Sequence, residues 1–237
     1  MTARPDGFAP TCEGPPRSAF SAAERRVIAR LETPTAVQHF LNALPYNTEP
    51  PPGPATLRSF RGVVRHRTAH CLEAALTAAV ILEQHRYPPL VMSLESVDEL
   101  DHVVFVYRRG GRWGSVARSR DLGLHGRRPV FRTPRDLALS YFDALIDFTG
   151  RLKGYAVVDL RVLGNYDWRL SQENVWKVER VLLNVPHRPI SSDDERVRKL
   201  RTRYVAFRHR YPGGQPNYYD EQTWSALPRG RYPPRGR

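Results

Sequence analysis

The chain has 237 residues, of which 41% are apolar and 26% are charged, which is enough apolar material for one folded domain. It contains no run of about 18 apolar residues, and its first residues lack the apolar segment of a signal peptide. The sequence therefore predicts neither a membrane span nor secretion. Two cysteines, Cys12 and Cys71, are too few for a disulfide framework, so we expect a reduced, cytoplasmic protein.

The charge of the chain is strongly positive. The formal net charge is +13, and all but three of the 37 basic residues are arginine. A basic surface attracts polyanions without sequence specificity, so nucleic-acid binding through the Arg-rich surface and tail stays open as one hypothesis. Codon usage in a GC-rich genome would produce the same excess of arginine, so charge alone does not decide the function.

Composition divides the chain into three parts. Residues 1–20 are rich in Pro and Gly and are predicted to form a disordered N-terminal tail. Residues 211–237 lack apolar periodicity and are predicted to form an Arg/Pro/Gly-rich C-terminal tail. Residues 21–210 contain no visible repeat and are expected to form a single domain.

The first half of this domain is predicted to be helical. Ser21 and Glu24 match a capping box at the start of a helix over 21–31, and a second helix follows it. A Pro-rich loop over 46–54 precedes a helix over 66–82, whose Ala and Leu residues make it apolar nearly all round. We expect this last helix to be buried.

After residue 90 the apolar period changes from 3.6 to 2, which predicts strands. Gly110-Gly111 matches a two-residue hairpin turn between two of them. The predicted strands are 90–94, 102–108, 112–118 and 155–162, and the later predicted helices are 135–148, 171–183 and 192–207. Helices followed by strands and then by helices indicate an α+β domain.

Cys71 lies near the start of the predicted buried helix, with Thr68 as the expected N-cap. A thiol in the first turn of a helix faces free backbone N–H groups and the positive end of the helix dipole, and both favour the thiolate. Arg65 and Arg67 act in the same direction. The alternative is that Cys71 is a small buried apolar residue, as lone cysteines commonly are.

His102 opens the second predicted strand. A base beside a helix-start thiol can form a thiolate–imidazolium nucleophile. If the hairpin pairs position 109 with position 112, His102 lies opposite Ser119, and Asp121 is on the same face two residues further on. Ser119 or Asp121 is then expected to orient the second imidazole nitrogen. The alternative is a surface hairpin with a solvated Asp121.

Three strings of residues carry a resemblance to a known family: AHCLEAA around Cys71, DHVVFVY around His102, and GGRWG ending at residue 114. Together they resemble the core of the transglutaminase-like superfamily of papain-like thiol enzymes, in particular a bacterial branch of it. The resemblance covers about residues 40–160. It implies a papain-like α+β core in which a buried helix carrying the Cys packs on a small antiparallel sheet with flanking helices.

The same resemblance implies roles for individual residues. Cys71 matches the nucleophile and His102 the base. The family's Asp, four positions after Trp113, is replaced by Ala117, so Ser119 or Asp121 would have to take its role.

The implied function is that of a thiol peptidase, amidase or acyltransferase acting on a peptide or other amide through a cysteine thioester. The Cys71 N–H is one expected oxyanion donor, and Asn47 is a candidate for a second. Because Ala117 replaces the usual Asp, a catalytically inactive binding module of the same fold is the alternative hypothesis.

The sequence predicts no cofactor and no metal. His66 and His70 are four positions apart with Cys71 beside them, but no fourth ligand stands out. The acidic residues over 95–101 lack the glycine and the spacing of a calcium loop. No glycine-rich phosphate-binding motif is present.

Overall fold

The computed structural model of the protein describes residues 14–49, 53–99 and 101–212, and the backbone of two short strands at 219–220 and 225–226. Its helices are α1 (Ala22–Arg30), α2 (Pro34–Ala43), α3 (Phe60–His66), α4 (Cys71–Glu83), α5 (Pro134–Leu139), α6 (Trp176–Asn184) and α7 (Asp194–Arg210). Its strands are β1 (Leu90–Ser96), β2 (His102–Arg109), β3 (Arg112–Val116), β4 (Arg127–Phe131), β5 (Leu152–Asp159), β6 (Arg188–Pro189), β7 (Tyr219–Asp220) and β8 (Ser225–Ala226). None of the helices in these residues combines the length and the apolar character that crossing a membrane requires.

A six-stranded antiparallel sheet in the order β4-β3-β2-β1-β5-β6 forms the centre of the fold. Alternate residues of a strand point to opposite faces, so Val91 and Phe105 join the core around α4, while Met92 and Val104 join the core on the other face. Every residue of α4 from Leu72 to Leu82 is buried. This is the predicted α+β architecture: a buried, cysteine-bearing helix packed on an antiparallel sheet, with further helices flanking it.

The start of the cysteine-bearing helix differs from the prediction. The predicted helix over 66–82 is interrupted, because α3 ends at His66 and Arg67 adopts the left-handed conformation with φ 56°. The N-cap of α4 is His70, and Thr68 instead accepts a hydrogen bond from Arg58. Cys71 is therefore the first residue of the helix and not its third.

Other boundaries also shift. The predicted helix over 135–148 is α5 followed by a 3-10 turn, Asp143–Leu145. The strand predicted over 155–162 starts earlier and ends at Asp159, whose carboxylate accepts the Arg161 N–H and begins a 3-10 turn. The helices predicted over 171–183 and 192–207 start later, at Trp176 and Asp194.

The ordered structure begins before residue 21. The predicted N-terminal tail ended at residue 20, but Arg17–Ala19 form a 3-10 turn and the Phe20 ring is buried against Phe60, with ring centroids 6.0 Å apart. Burial of the Phe20 ring in the core ties the residues just before α1 to the domain, so the predicted tail extends too far toward the domain. Residues 1–13 and most of the predicted C-terminal tail lie outside the described residues.

The β2–β3 hairpin has the predicted register at its turn but ends early. Arg109 pairs with Arg112 across Gly110 and Gly111, both of positive φ, and the ladder continues to Phe105 and Val116. The extension of this register to a His102–Ser119 pair is wrong, because β3 stops at Val116. The next residue, Ala117, pairs with a side chain: Gln38 of α2 accepts its N–H at 2.9 Å and donates to its carbonyl at 2.7 Å.

Candidate active site

Cys71 is a free, partly exposed thiol at the N-terminus of the 13-residue helix α4. The preceding chain is held in place by a parallel bridge between Tyr46 and Ala69, in which the Asn47 N–H donates to the Ala69 carbonyl at 3.2 Å. Backbone N–H groups at this end of a helix have no partner within the helix, so they stabilise negative charge nearby. The fold thus places the sulfur where a thiolate is favoured.

Two imidazole rings hydrogen-bond to the Cys71 side chain, from His102 at the start of β2 and from His70 at the helix N-cap. The Nε2 of His102 lies 2.7 Å from the Leu124 carbonyl oxygen. The Nε2 of His70 lies 3.0 Å from the Thr56 carbonyl oxygen. Because a carbonyl oxygen only accepts, each Nε2 carries a proton and donates it. Nδ1 of each ring is then the nitrogen left for the sulfur.

These contacts shift the pKa values of the site. Burial of the thiol acts to raise its pKa, but the hydrogen bonds and charges of His102 and His70 outweigh it and lower the pKa of Cys71 to about 5. For His70, burial acts to lower the pKa, while the Cys71 sulfur, the Glu73 carboxylate and the Thr56 carbonyl raise it to about 9. A thiolate facing a protonated imidazole is therefore the state favoured near neutral pH.

A buried carboxylate, Glu73, fixes the helix start to the loop before it. Its side chain is fully buried and accepts four hydrogen bonds. Oε1 accepts from the Thr56 hydroxyl at 3.1 Å and the Arg58 N–H at 2.9 Å, and Oε2 accepts from the Asn47 side chain at 3.1 Å and the His70 N–H at 3.0 Å. This shared acceptor orients His70 and, through it, the first turn of α4.

The Tyr46 hydroxyl lies at the backbone of Cys71. The Cys71 backbone hydrogen-bonds to it, while burial and the neighbouring Cys71 sulfur raise the pKa of Tyr46 to about 12. The guanidinium groups of Arg118 and Arg120 lie 5.7 and 5.8 Å from the centre of its ring. The Tyr46 side chain is therefore neutral near pH 7. Its hydroxyl occupies the position from which a substrate oxygen would accept a hydrogen bond from the Cys71 N–H.

The two residues predicted to orient His102 act in another way. Asp121 accepts the Gly123 N–H at 2.9 Å and begins a 3-10 turn, Leu122–Leu124, whose last carbonyl is the partner of His102. Ser119 is buried, and its hydroxyl accepts the Asp121 N–H at 3.2 Å. The orienting group on Nε2 is therefore a backbone carbonyl, presented by a turn that Asp121 caps.

Position 117, where the resemblance would place an Asp, has no carboxylate. Ala117 is buried, and both of its backbone polar groups are bound to Gln38. The lack of a carboxylate at this position does not leave His102 without an orienting partner, because the Leu124 carbonyl accepts the Nε2 proton of its ring. The side chain of Asn47, the candidate for a second oxyanion donor, donates its hydrogen bonds to Glu73 and Thr56.

Several residues of the site were not identified by sequence reasoning, namely Tyr46, His70 and Glu73 in these roles, and the Leu124 carbonyl. A capping-box spacing, in which the helix-start residue is followed three positions later by Glu, was a usable signal for His70 and Glu73. No sequence pattern marks a backbone carbonyl as an orienting group. Within the described ranges, no group of three or more His, Cys, Asp or Glu side chains is arranged to hold a metal ion.

No family model matches the chain, and no curated protein matches its sequence. Among solved structures, the chain is similar to Legionella pneumophila LapG (EGTA-treated), with a TM-score of 0.36 and 13% sequence identity. This similarity covers 63% of the chain and 89% of LapG.

Proposed function

We propose that the protein is a cysteine-dependent acyl-transfer enzyme of transglutaminase-like type, a peptidase, amidase or acyltransferase in which Cys71 is the nucleophile and His102 the general acid and base. The observation that carries this proposal is the hydrogen bond between His102 and the Cys71 thiol at the start of α4. Its second support is the Leu124 carbonyl, which fixes the tautomer and the orientation of the His102 ring.

The reaction begins when the Cys71 thiolate adds to the carbonyl carbon of a peptide or other amide, forming a C–S bond and an oxyanion. The Cys71 N–H is available to this oxyanion once the substrate oxygen replaces the Tyr46 hydroxyl as its acceptor. The imidazolium of His102 then gives its proton to the leaving amine as the C–N bond breaks. A thioester on Cys71 and a neutral His102 remain.

The second half of the reaction returns the enzyme to its starting state. Neutral His102 accepts a proton from water or from an acceptor amine as that molecule attacks the thioester. The C–S bond breaks, and the sulfur leaves as a thiolate beside the reprotonated His102. The acceptor decides whether the reaction is hydrolysis or transfer.

A chromogenic acyl donor tests the proposal. We expect p-nitrophenyl acetate to acylate Cys71 in a Cys12→Ser protein and to be turned over, with the acyl group found on Cys71 by mass spectrometry. Cys71→Ser should abolish the acylation, and His102→Gln, which keeps a donor for the Leu124 carbonyl, should slow turnover by about 100-fold or more. Acylation of Cys71 no faster than that of a free thiol would refute the proposal and favour the inactive binding module.

A further inference from the structure

We propose that His70 is a second catalytic histidine, which keeps its proton through the reaction cycle and holds Cys71 as a thiolate while His102 exchanges its own proton. This inference rests on the proposed function and deepens it. It assigns separate roles to the two rings that touch the sulfur. A single-histidine site would use one ring for both purposes.

The number of protons at the site requires at least one imidazolium. Each Nε2 donates to a carbonyl, so both rings face the sulfur with Nδ1. A neutral thiol has one proton and can donate it to one Nδ1 only, so the other Nδ1 must carry a proton to make its hydrogen bond. A thiolate has no proton, and then both rings are protonated. In either state at least one ring is charged.

The surroundings assign the permanent charge to His70. Its Nε2 lies 3.7 Å from Glu73 Oε1, and the carboxylate is fully buried, so the attraction is weakly screened. The guanidinium of Arg58 lies 3.9 Å from the same oxygen and shares this carboxylate, but its side chain is partly exposed to solvent. Burial acts to lower the pKa of His70, but the Cys71 sulfur and the Thr56 carbonyl act together with Glu73 to favour the protonated ring.

His102 faces a different set of groups. The Leu124 carbonyl accepts its Nε2–H, and the Tyr141 ring packs edge-on at 6.1 Å. The Asp121 carboxyl and the His125 ring are close enough to interact with its charge. Among the described residues, however, no carboxylate oxygen lies within ion-pair distance of the His102 ring, as Glu73 does for His70. Because His70 has an ion-pair partner and His102 has none among the described residues, we assign the exchange of a proton to His102.

The two roles complement one another during turnover. When Cys71 is acylated its negative charge is lost, but the Glu73 carboxylate remains and keeps His70 protonated. His102 has then given its proton to the leaving group and is neutral, as the base that activates the acceptor must be. When the thioester is broken, the charged His70 stabilises the departing thiolate.

Titration of the thiolate by its ultraviolet absorbance tests this division of roles. The proteins compared are Cys12→Ser and the same protein carrying His70→Gln, His102→Gln or both, each corrected by a Cys71→Ser protein. We expect His70→Gln alone to raise the thiol midpoint by about one to two pH units, and the double variant to titrate near the free-thiol value of about 8.5. His102→Gln alone should stay below that value.

The outcomes separate this inference from the proposed function. A midpoint near 8.5 in the Cys12→Ser protein itself would refute the activated thiol and hence both proposals. The role of His70 alone would be refuted by a different result. In that case the thiol midpoint is low in the Cys12→Ser protein and unchanged by His70→Gln, whereas His102→Gln alone raises it to the free-thiol value.

Histidine titration by NMR on the protein with both rings intact keeps the inference falsifiable if His70→Gln does not fold. We expect the His70 ring to stay protonated up to a pH of about 9. Deprotonation of His70 before His102 as the pH rises would overturn the inference.

Discussion

Replacement of Glu73 by Gln tests whether one buried carboxylate holds the site together. The substitution keeps the size of the side chain but leaves a single oxygen to accept hydrogen bonds. The backbone N–H groups of Arg58 and His70 donate to different oxygens of Glu73. One of them must therefore face the new NH2 group, whichever way the amide is turned.

The magnitude follows from these contacts. A buried N–H that loses its acceptor costs about 1–3 kcal/mol, and the remaining hydrogen bonds are weaker because the acceptor is no longer charged. We expect Glu73→Gln to lower the free energy of unfolding by about 3 kcal/mol. Urea unfolding followed by circular dichroism, in the Cys12→Ser background, measures this change from the midpoint at an unchanged slope.

Thr77→Val is the matched control for this prediction. Thr77 lies one turn further along α4, is fully buried, and its hydroxyl has no hydrogen-bond partner among the described residues. Removing an unsatisfied buried hydroxyl should be neutral or stabilising. A loss below about 1 kcal/mol for Glu73→Gln, or an equal loss for both variants, would show that the four hydrogen bonds do not stabilise the helix start.

Three further substitutions probe the loop that supports His102. Gly126→Ala should cost about 2 kcal/mol or more in urea unfolding, because the new Cβ would lie 2.5 Å from the Ser115 carbonyl oxygen and closer still to the Gln38 side chain; wild-type stability would contradict it. Burial lowers the pKa of His125 to about 4, below its unfolded value of about 6.5, so stability should fall as the pH drops from 6.5 to 4. The loss should be about 3 kcal/mol larger in wild type than in His125→Gln, and parallel curves for the two would refute it. Asp121→Ala should slow alkylation of the site thiol by about fivefold through loss of a turn cap, whereas Asp121→Asn, which keeps the acceptor, should not; equal rates for Ala and Asn would contradict the capping role.

The sequence predicts best those elements whose formation depends on residues within the element itself. The Ser21–Glu24 capping box, the Gly110-Gly111 turn and the buried, Ala-rich helix each depend on local pattern, and all three are present. Boundaries were less predictable where a distant partner sets them. The end of β3 at Val116 depends on Gln38, which pairs with the next residue, Ala117, across 79 positions of the sequence.

The site shows the same limit. Cys71 and His102 stand out because a helix-start thiol and a strand-start imidazole are recognisable in sequence, and the structure brings the two side chains together. The partner of the His102 Nε2 was not predictable, because every residue has a carbonyl and only the turn over Leu122–Leu124 presents one to the ring. In the sequence, His70 stands out only as a possible metal ligand beside His66, because nothing in the pattern shows that its Nε2 faces the Thr56 carbonyl.

The hydrogen bonds around the two histidines have a consequence for how the site assembles. The hydrogen bonds that hold His70 and Glu73 join residues at most 26 positions apart in the sequence, the separation of Asn47 and Glu73. The hydrogen bond that holds His102 joins it to Leu124, 22 positions away. Each half of the site can therefore form within its own stretch of chain, at a modest entropic cost of loop closure. The two histidines reach the same sulfur only once α4 has docked on β2, so the reactivity of this thiol reports the moment of docking. Slow loss of that reactivity in mild denaturant would measure the opening of this interface before the rest of the domain unfolds.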